Sequence, residues 1–159
     1  MDILAKGKYP SSALSNFAPH KFVFRGVECN SVEGLLQSLK YSNPEMQKYI
    51  CTLVGFHAKK TGSKKNWRER QTLYWQGKEI DRQSGEYQEL LDEIYQELFD
   101  QCDGARRALL ATQNANLTHS IGKKKKSDTI LTQQEFCSRL MKNRKRLQRE
   151  QIISKLFDK

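Results

Sequence analysis

Val32, Leu35, Leu36 and Leu39 fall at i, i+3, i+4 and i+7, a one-sided apolar stripe that predicts a helix beginning at Ser31. Just upstream, Lys21–Cys29 alternates instead. Phe22 and Phe24 share a face and Arg25-Gly26 can turn, so two short strands are expected there. Asn43-Pro44 pairs a capping residue with proline at the first helical position, which predicts a second helix from Pro44 to about Val54. Lys59–Lys65, with four lysines and one glycine, reads as a basic loop, and Trp67 opens an amphipathic stretch that ends near Gly77. The strongest helical period runs over Gly85–Asp100, where Tyr87, Leu90, Leu91, Ile94, Leu98 and Phe99 line one side and the acidic residues the other. A further helix over Ala105–Thr112 follows Asp103-Gly104. Thr132 and Glu135 form a capping box ahead of Phe136, so the last helix starts at Gln133 and extends through Leu140, Leu147 and Ile152 to Phe157. The expectation is one predominantly α-helical α+β domain over residues 1–159 with a small N-terminal sheet.

Composition agrees with a globular chain. Of 159 residues, 37% are hydrophobic and 29% charged, with 9 glycines and 3 prolines, which excludes collagen-like and disordered classes. Met1–Ser12 has no apolar signal-peptide core, and the longest apolar-rich run, Tyr49–Phe56, is far short of the ~20 residues a membrane helix needs. A cytoplasmic protein with no membrane partner is expected. The cysteines at positions 29, 51, 102 and 137 include no Cys-x-x-Cys pair, so they read as reduced, buried thiols rather than zinc ligands or a disulfide framework.

Charge changes the picture more. The net charge of +10 is divided into +8 over residues 1–78, −7 over 79–100 and +9 over 101–159. Two basic stretches flanking an acidic one attract an anion: nucleic acid, a phosphorylated metabolite or an acidic partner. Lys123, Lys124, Lys125 and Lys126 are consecutive and cannot be packed together. With Lys142, Arg144, Lys145, Arg146 and Arg149 of the last helix they suit phosphate contacts to a polynucleotide, although a solvated face accounts for the last helix equally well.

The first strongly patterned helix also carries Glu33, Gln37 and Lys40 at i, i+4 and i+7, a polar stripe beside the apolar one. Glu33 stands near the helix N-terminus, where the dipole favours an ionised carboxylate. By itself the stripe is also what a solvated helix face looks like. With its surroundings it is more specific: Leu14–Lys40 resembles the opening of the NADAR family, small N-glycosidase-like domains associated with NAD and ADP-ribose. The matching residues are Ser15-Asn16-Phe17, then Ser31, Glu33, Gln37 and Lys40. Ala58-Lys59-Lys60, Trp67 and Phe99–Leu117 continue the resemblance, which spans about residues 14–147. The chain departs from the family pattern at Gly34, often His there, and at Leu36, often aromatic. Thr118–Gly122 holds no counterpart of the family's Asp-Trp-Gly motif.

The resemblance implies a hydrolase of a ribosyl–base N-glycosidic bond, such as ADP-ribose on guanine or a phosphorylated ribosylaminopyrimidine. The other reading it leaves is a non-catalytic binder of ADP-ribose-type nucleotides or nucleic acid on the same fold. Such hydrolysis passes through an oxocarbenium-like sugar, which a carboxylate can stabilise while it orients or deprotonates water. Glu33 suits that role. Asp128 is the carboxylate left in the loop that lacks the acidic motif, and His119 is either a proton carrier in its place or an ordinary loop histidine. Lys40 would contact a phosphate or ribose oxygen or lower the pKa of Glu33, Trp67 would stack on a base or anchor the core, and Asn16 would bond a ribose or base edge. Ser15, Phe17 and Gln37 complete the expected binding set. Neither a metal nor a cofactor is implied, since no ligand cluster or glycine-rich phosphate loop appears.

Overall fold

The computed structural model describes residues 1–158. Among them are seven helices and two antiparallel two-stranded sheets. In chain order these are α1 (Ser11–Leu14), β1 (Phe22–Phe24), β2 (Val27–Cys29), α2 (Val32–Ser38), α3 (Pro44–Cys51), α4 (Gly55–Ser63), β3 (Thr72–Trp75), β4 (Lys78–Asp81), α5 (Gly85–Gln101), α6 (Asp103–Ala111) and α7 (Gln133–Phe157). The expected α+β class holds. No helix among the described residues is long and apolar enough to cross a membrane.

Local signals account for most of these elements. Ser31 caps α2 by accepting from the Gly34 amide at 3.0 Å, and its hydroxyl donates to the Leu53 carbonyl at 2.9 Å, so one side chain starts the helix and ties it to the segment after α3. Asn43 accepts from the amides of Glu45 and Met46, with Pro44 at the first helical position. The capping box at the start of α7 is formed. Both hairpins turn through two left-handed residues, Arg25-Gly26 (φ 47° and 82°) and Gln76-Gly77 (φ 46° and 90°), the turn that matches strand twist.

Several expectations need correction. The basic loop over Lys59–Lys65 is in large part helix α4, whose buried positions are only Ala58 and Gly62. Two small residues make too faint an apolar stripe to read. The second helix ends at Cys51 rather than Val54, which allows the turn into α4. The stretch after Trp67 contains a second hairpin rather than one amphipathic element. Its buried residues, Leu73, Trp75 and Ile80, alternate as a strand pair should. Cys29 and Cys51 are buried, but Cys102 and Cys137 are only partly so.

The core gathers α2, α5, α6, the first half of α7 and the inner faces of both hairpins. Every residue of α2 is buried, its polar ones included. Gly34 explains how. A Cβ there would stand 2.6 Å from the Leu53 carbonyl and 2.8 Å from that of Ile50, so only glycine lets α2 press against the end of α3. The buried Gln47 amide then bonds the carbonyls of Ser38 and Tyr74 and pins the second hairpin beside α2.

Candidate functional site

The α2 stripe forms the floor of a cavity of about 360 Å³. Its walls come from residues 15–17, from α4 and the segment through Arg68, and from two loop pieces at 119–123 and 128–131. Ser15, Asn16, Phe17, Glu33, Gln37, Lys40, Trp67, His119 and Asp128, singled out from sequence, all line it. Of the lysine run, Lys123 reaches the lining and Lys124, Lys125 and Lys126 do not.

Glu33 is only 8% exposed. Its backbone amide donates to the Asn16 carbonyl at 3.0 Å, which fixes the Ser15–Phe17 turn against the helix. Its carboxylate accepts one hydrogen bond, from Gln37 Nε2 at 2.8 Å. Burial pushes the Glu33 carboxyl above the ordinary carboxylate range, and the Gln37 bond with the charges of Lys59, Lys40 and His119 offsets only part of that. Removal from water outweighs a favourable helix end.

Gln37 sits there because Gly62 lacks a side chain: a Cβ on Gly62 would overlap Gln37 Oε1 and lie 2.9 Å from its Cβ. That Oε1 is buried without a hydrogen-bond partner. Lys40 lies one turn further along. Burial lowers its ammonium to about 8, against the pull of Glu33 and helped by the repulsion of Arg68, Lys123 and Lys59.

The other residues are held by neighbours. Asn16 Oδ1 accepts from the Tyr95 hydroxyl at 2.8 Å, which leaves its amide hydrogens for a ligand. Ser15 Oγ accepts from the Phe17 amide and shapes the turn. His119 Nδ1 is 2.7 Å from the Ile3 carbonyl. A carbonyl can only accept, so Nδ1 carries the hydrogen and Nε2 is the ring nitrogen left to exchange a proton. Trp67 is a core residue at 6% exposure, and its remaining surface lines the cavity. Asp128 is exposed at the rim, with its backbone held by Arg68 Nε at 3.1 Å.

The sequence reading missed part of the cationic ring. Lys59, Lys65 and Arg68 join Lys40 and Lys123 in the lining, against the two carboxylates of Glu33 and Asp128. Lys59 was visible in the Ala58-Lys59-Lys60 resemblance and Lys65 only in a charge run, neither with a binding role, and nothing in the sequence marks Arg68. Among the cations expected on the last helix, Arg144 is buried, bonding Thr112 Oγ1 and the Ala115 carbonyl, and Arg146 pairs with Asp100 at 2.8 Å. Neither is free to contact phosphate.

Residues 8–145 match the family described as Bacteriophage protein GP30.3. A protein of Enterobacteria phage T4, described as an uncharacterized 17.1 kDa protein in the Gp30-rIII intergenic region, is 40% identical over 138 residues, 86% of this chain and 91% of that protein. The NMR structure of the E. coli protein YbiA, a NADAR-family protein, matches with a TM-score of 0.62 over 96% of this chain and 86% of that one, at 17% identity. At that identity the likeness speaks for a NADAR-type fold alone.

Proposed function

The chain belongs to the Bacteriophage protein GP30.3 family, and we propose that it is an N-glycosidase-type hydrolase that cleaves the bond between a ribosyl C1′ and a base nitrogen. Its substrates would be of the kind of ADP-ribose on guanine or a phosphorylated ribosylaminopyrimidine, which puts the reaction in the cytoplasm. The observation that carries this reading is Glu33: a buried carboxylate with one hydrogen-bond donor, on the floor of a cavity ringed by five cationic side chains. An isolated buried carboxylate costs stability, so its presence in a cavity marks a site of chemistry more readily than a packing role.

In the reaction the C1′–N bond breaks and leaves an oxocarbenium-like sugar facing Glu33. Water attacks C1′, its proton passes to the Glu33 carboxylate, and the departing base nitrogen takes a proton from solvent or from Nε2 of a His119 imidazolium, which is left as the neutral ring with its hydrogen on Nδ1. Its raised pKa makes Glu33 a stronger base than an ordinary carboxylate. Lys40, Lys59 and Arg68 would hold phosphate oxygens, Asn16 a ribose or base edge, and Trp67 with Phe17 the flat face of a base.

A second reading has its own support. Thr118–Gly122 lacks the acidic motif, and the rim carboxylate of Asp128 is exposed, which suits a binder of ADP-ribose-type nucleotides without turnover. One experiment separates the two. Wild type and Glu33→Gln are incubated with ADP-ribosylated guanosine and with a ribosylaminopyrimidine phosphate, and the released base is quantified. Hydrolysis of either substrate by wild type, reduced ~10²-fold or more in the variant, is the expected result. Binding of ADP-ribose without release of base by wild type would establish the binder. Equal turnover by both proteins would remove Glu33 from the mechanism.

A further inference from the structure

The second half of α7 has no role in the cavity. Phe136, Leu140, Asn143 and Leu147 face the body of the protein at 6% exposure or less, while every described residue from Arg149 to Asp158 is exposed. Four of these are large and apolar: Ile152, Ile153, Leu156 and Phe157, exposed by 61, 52, 66 and 84%. At about 100° per residue, their shared face is turned roughly 140° away from the body-facing side of the same helix. The chain's own core therefore cannot cover it.

The same outward face carries Lys142, Lys145 and Arg149 one to four turns nearer the body, all exposed and without an ion pair among the described residues. Glu150, at the edge of this face, is paired with Arg146 at 3.3 Å. The result is a solvent-facing strip about 23 Å long from Lys142 to Phe157, cationic at one end and apolar at the other. Nucleic acid would satisfy the cations and leave the apolar side chains in water. A second copy would have to hold on to four apolar side chains per chain, where a stable interface uses about 20–30 residues a side. We propose that this strip docks on an anionic lipid bilayer surface, with Ile152, Ile153, Leu156 and Phe157 in the interfacial region and Lys142, Lys145 and Arg149 at the headgroups. The absence of a membrane-spanning run, on which the sequence expectation of no membrane partner rested, has no bearing on a helix that lies in the surface. The body stands on the opposite side of α7, so it does not obstruct such contact.

The test is co-sedimentation of the full chain with vesicles of phosphatidylglycerol and phosphatidylcholine in equal parts, and with phosphatidylcholine alone. Binding is expected only to the anionic vesicles. Ile153→Ser with Phe157→Ser should weaken it at least ~tenfold. Replacing Lys142, Lys145 and Arg149 by Gln should weaken it about fivefold per cation. All five positions are exposed, so thermal melts of the variants should overlay wild type, which separates a docking defect from a folding defect. Absent binding, equal binding to both vesicles, or unchanged binding by the serine variant would each overturn the proposal. Concentration-dependent self-association without lipid that the serine variant abolishes would assign the face to a second copy instead.

Discussion

Glu33 and Glu135 are both buried glutamates near the start of a helix, at 8% and 4% exposure, and they are built to opposite ends. Glu135 receives a two-point contact from Arg82, at 2.6 and 3.0 Å, plus Gln88 Nε2 at 2.7 Å and the Thr132 amide at 2.8 Å. Burial works to raise its carboxyl, but those hydrogen bonds outweigh it and hold the group below the ordinary range. Glu33 has the burial with a single donor, and its carboxyl is raised. Satisfaction, rather than burial, is what separates them. A fully paired carboxylate organises structure: through Arg82 Nε on the Thr129 carbonyl, the Glu135 pair also fixes the cavity wall at 128–131. An under-paired carboxylate facing a cavity is free to exchange a proton.

That contrast can be broken from either side. The largest effect is expected at Arg82→Met, which strands Glu135. Removing one partner of a buried pair costs about 3–5 kcal/mol, a fall of roughly 10 °C in Tm for a chain of this size. The loss should be greatest at neutral pH and shrink in acid, where Glu135 takes up a proton. Equal losses at pH 7 and pH 4 by denaturant titration would show that the pair does not hold the fold electrostatically.

Glu33→Gln should do the reverse, lowering turnover ~10²-fold, about 2.7 kcal/mol of barrier, with no loss of stability. The two glutamates also bend the pH–stability curve in opposite directions. The Glu33 pKa is higher folded than unfolded, so stability falls as pH rises from the ordinary carboxylate range through the folded value. The Glu135 pKa is lower folded than unfolded, so its contribution is complete above the ordinary range and lost as pH falls through the folded value. Glu33→Gln should therefore flatten the decline that begins above the ordinary carboxylate range in chemical denaturation. A decline as steep as that of wild type would contradict the raised Glu33 pKa.

Gly62→Ala sharpens the comparison at its weakest link. Glycine to alanine inside a helix ordinarily stabilises by roughly 0.5–1 kcal/mol. Here the new methyl would displace the Gln37 amide and with it the one hydrogen bond to Glu33, so a net loss of about 1–2 kcal/mol is expected in thermal melts. A gain would show that Gln37 rotates away at no cost. The smallest effect on stability, within ~0.5 kcal/mol, is expected on replacing Lys123, Lys124, Lys125 and Lys126 by Gln. That variant should instead flatten the salt dependence of binding to a short DNA duplex, by roughly 0.9 in log–log slope for each phosphate it no longer neutralises. An unchanged slope would leave the lysine run out of polyanion binding.

Much of this was legible along the chain, where the signal is local. The stripe Val32, Leu35, Leu36, Leu39, the Asn43-Pro44 start, the α5 period and the Thr132–Glu135 capping box need only neighbours within a turn or two, and each formed. Helix α4 escaped because close packing on Ala58 and Gly62 leaves no large apolar residue to count. The second hairpin escaped because β4 buries only Ile80 among charged neighbours and so shows no alternation to read.

By itself, then, the sequence determined an α+β chain rich in helices, a strong positive charge, and a Glu33–Gln37–Lys40 row one helical turn apart. It could not determine whether that row faces water or protein, since helical spacing is the same in both. Tertiary structure decided it: Gly34 lets α2 sink against α3, Gly62 admits Gln37, and the loop held by Arg82 and Gln133 closes the other wall. Desolvation is a property of everything packed around a group, not of its own stretch of chain. For that reason the raised Glu33, the Lys40 ammonium at about 8 and the burial of Arg144 emerged only from the fold.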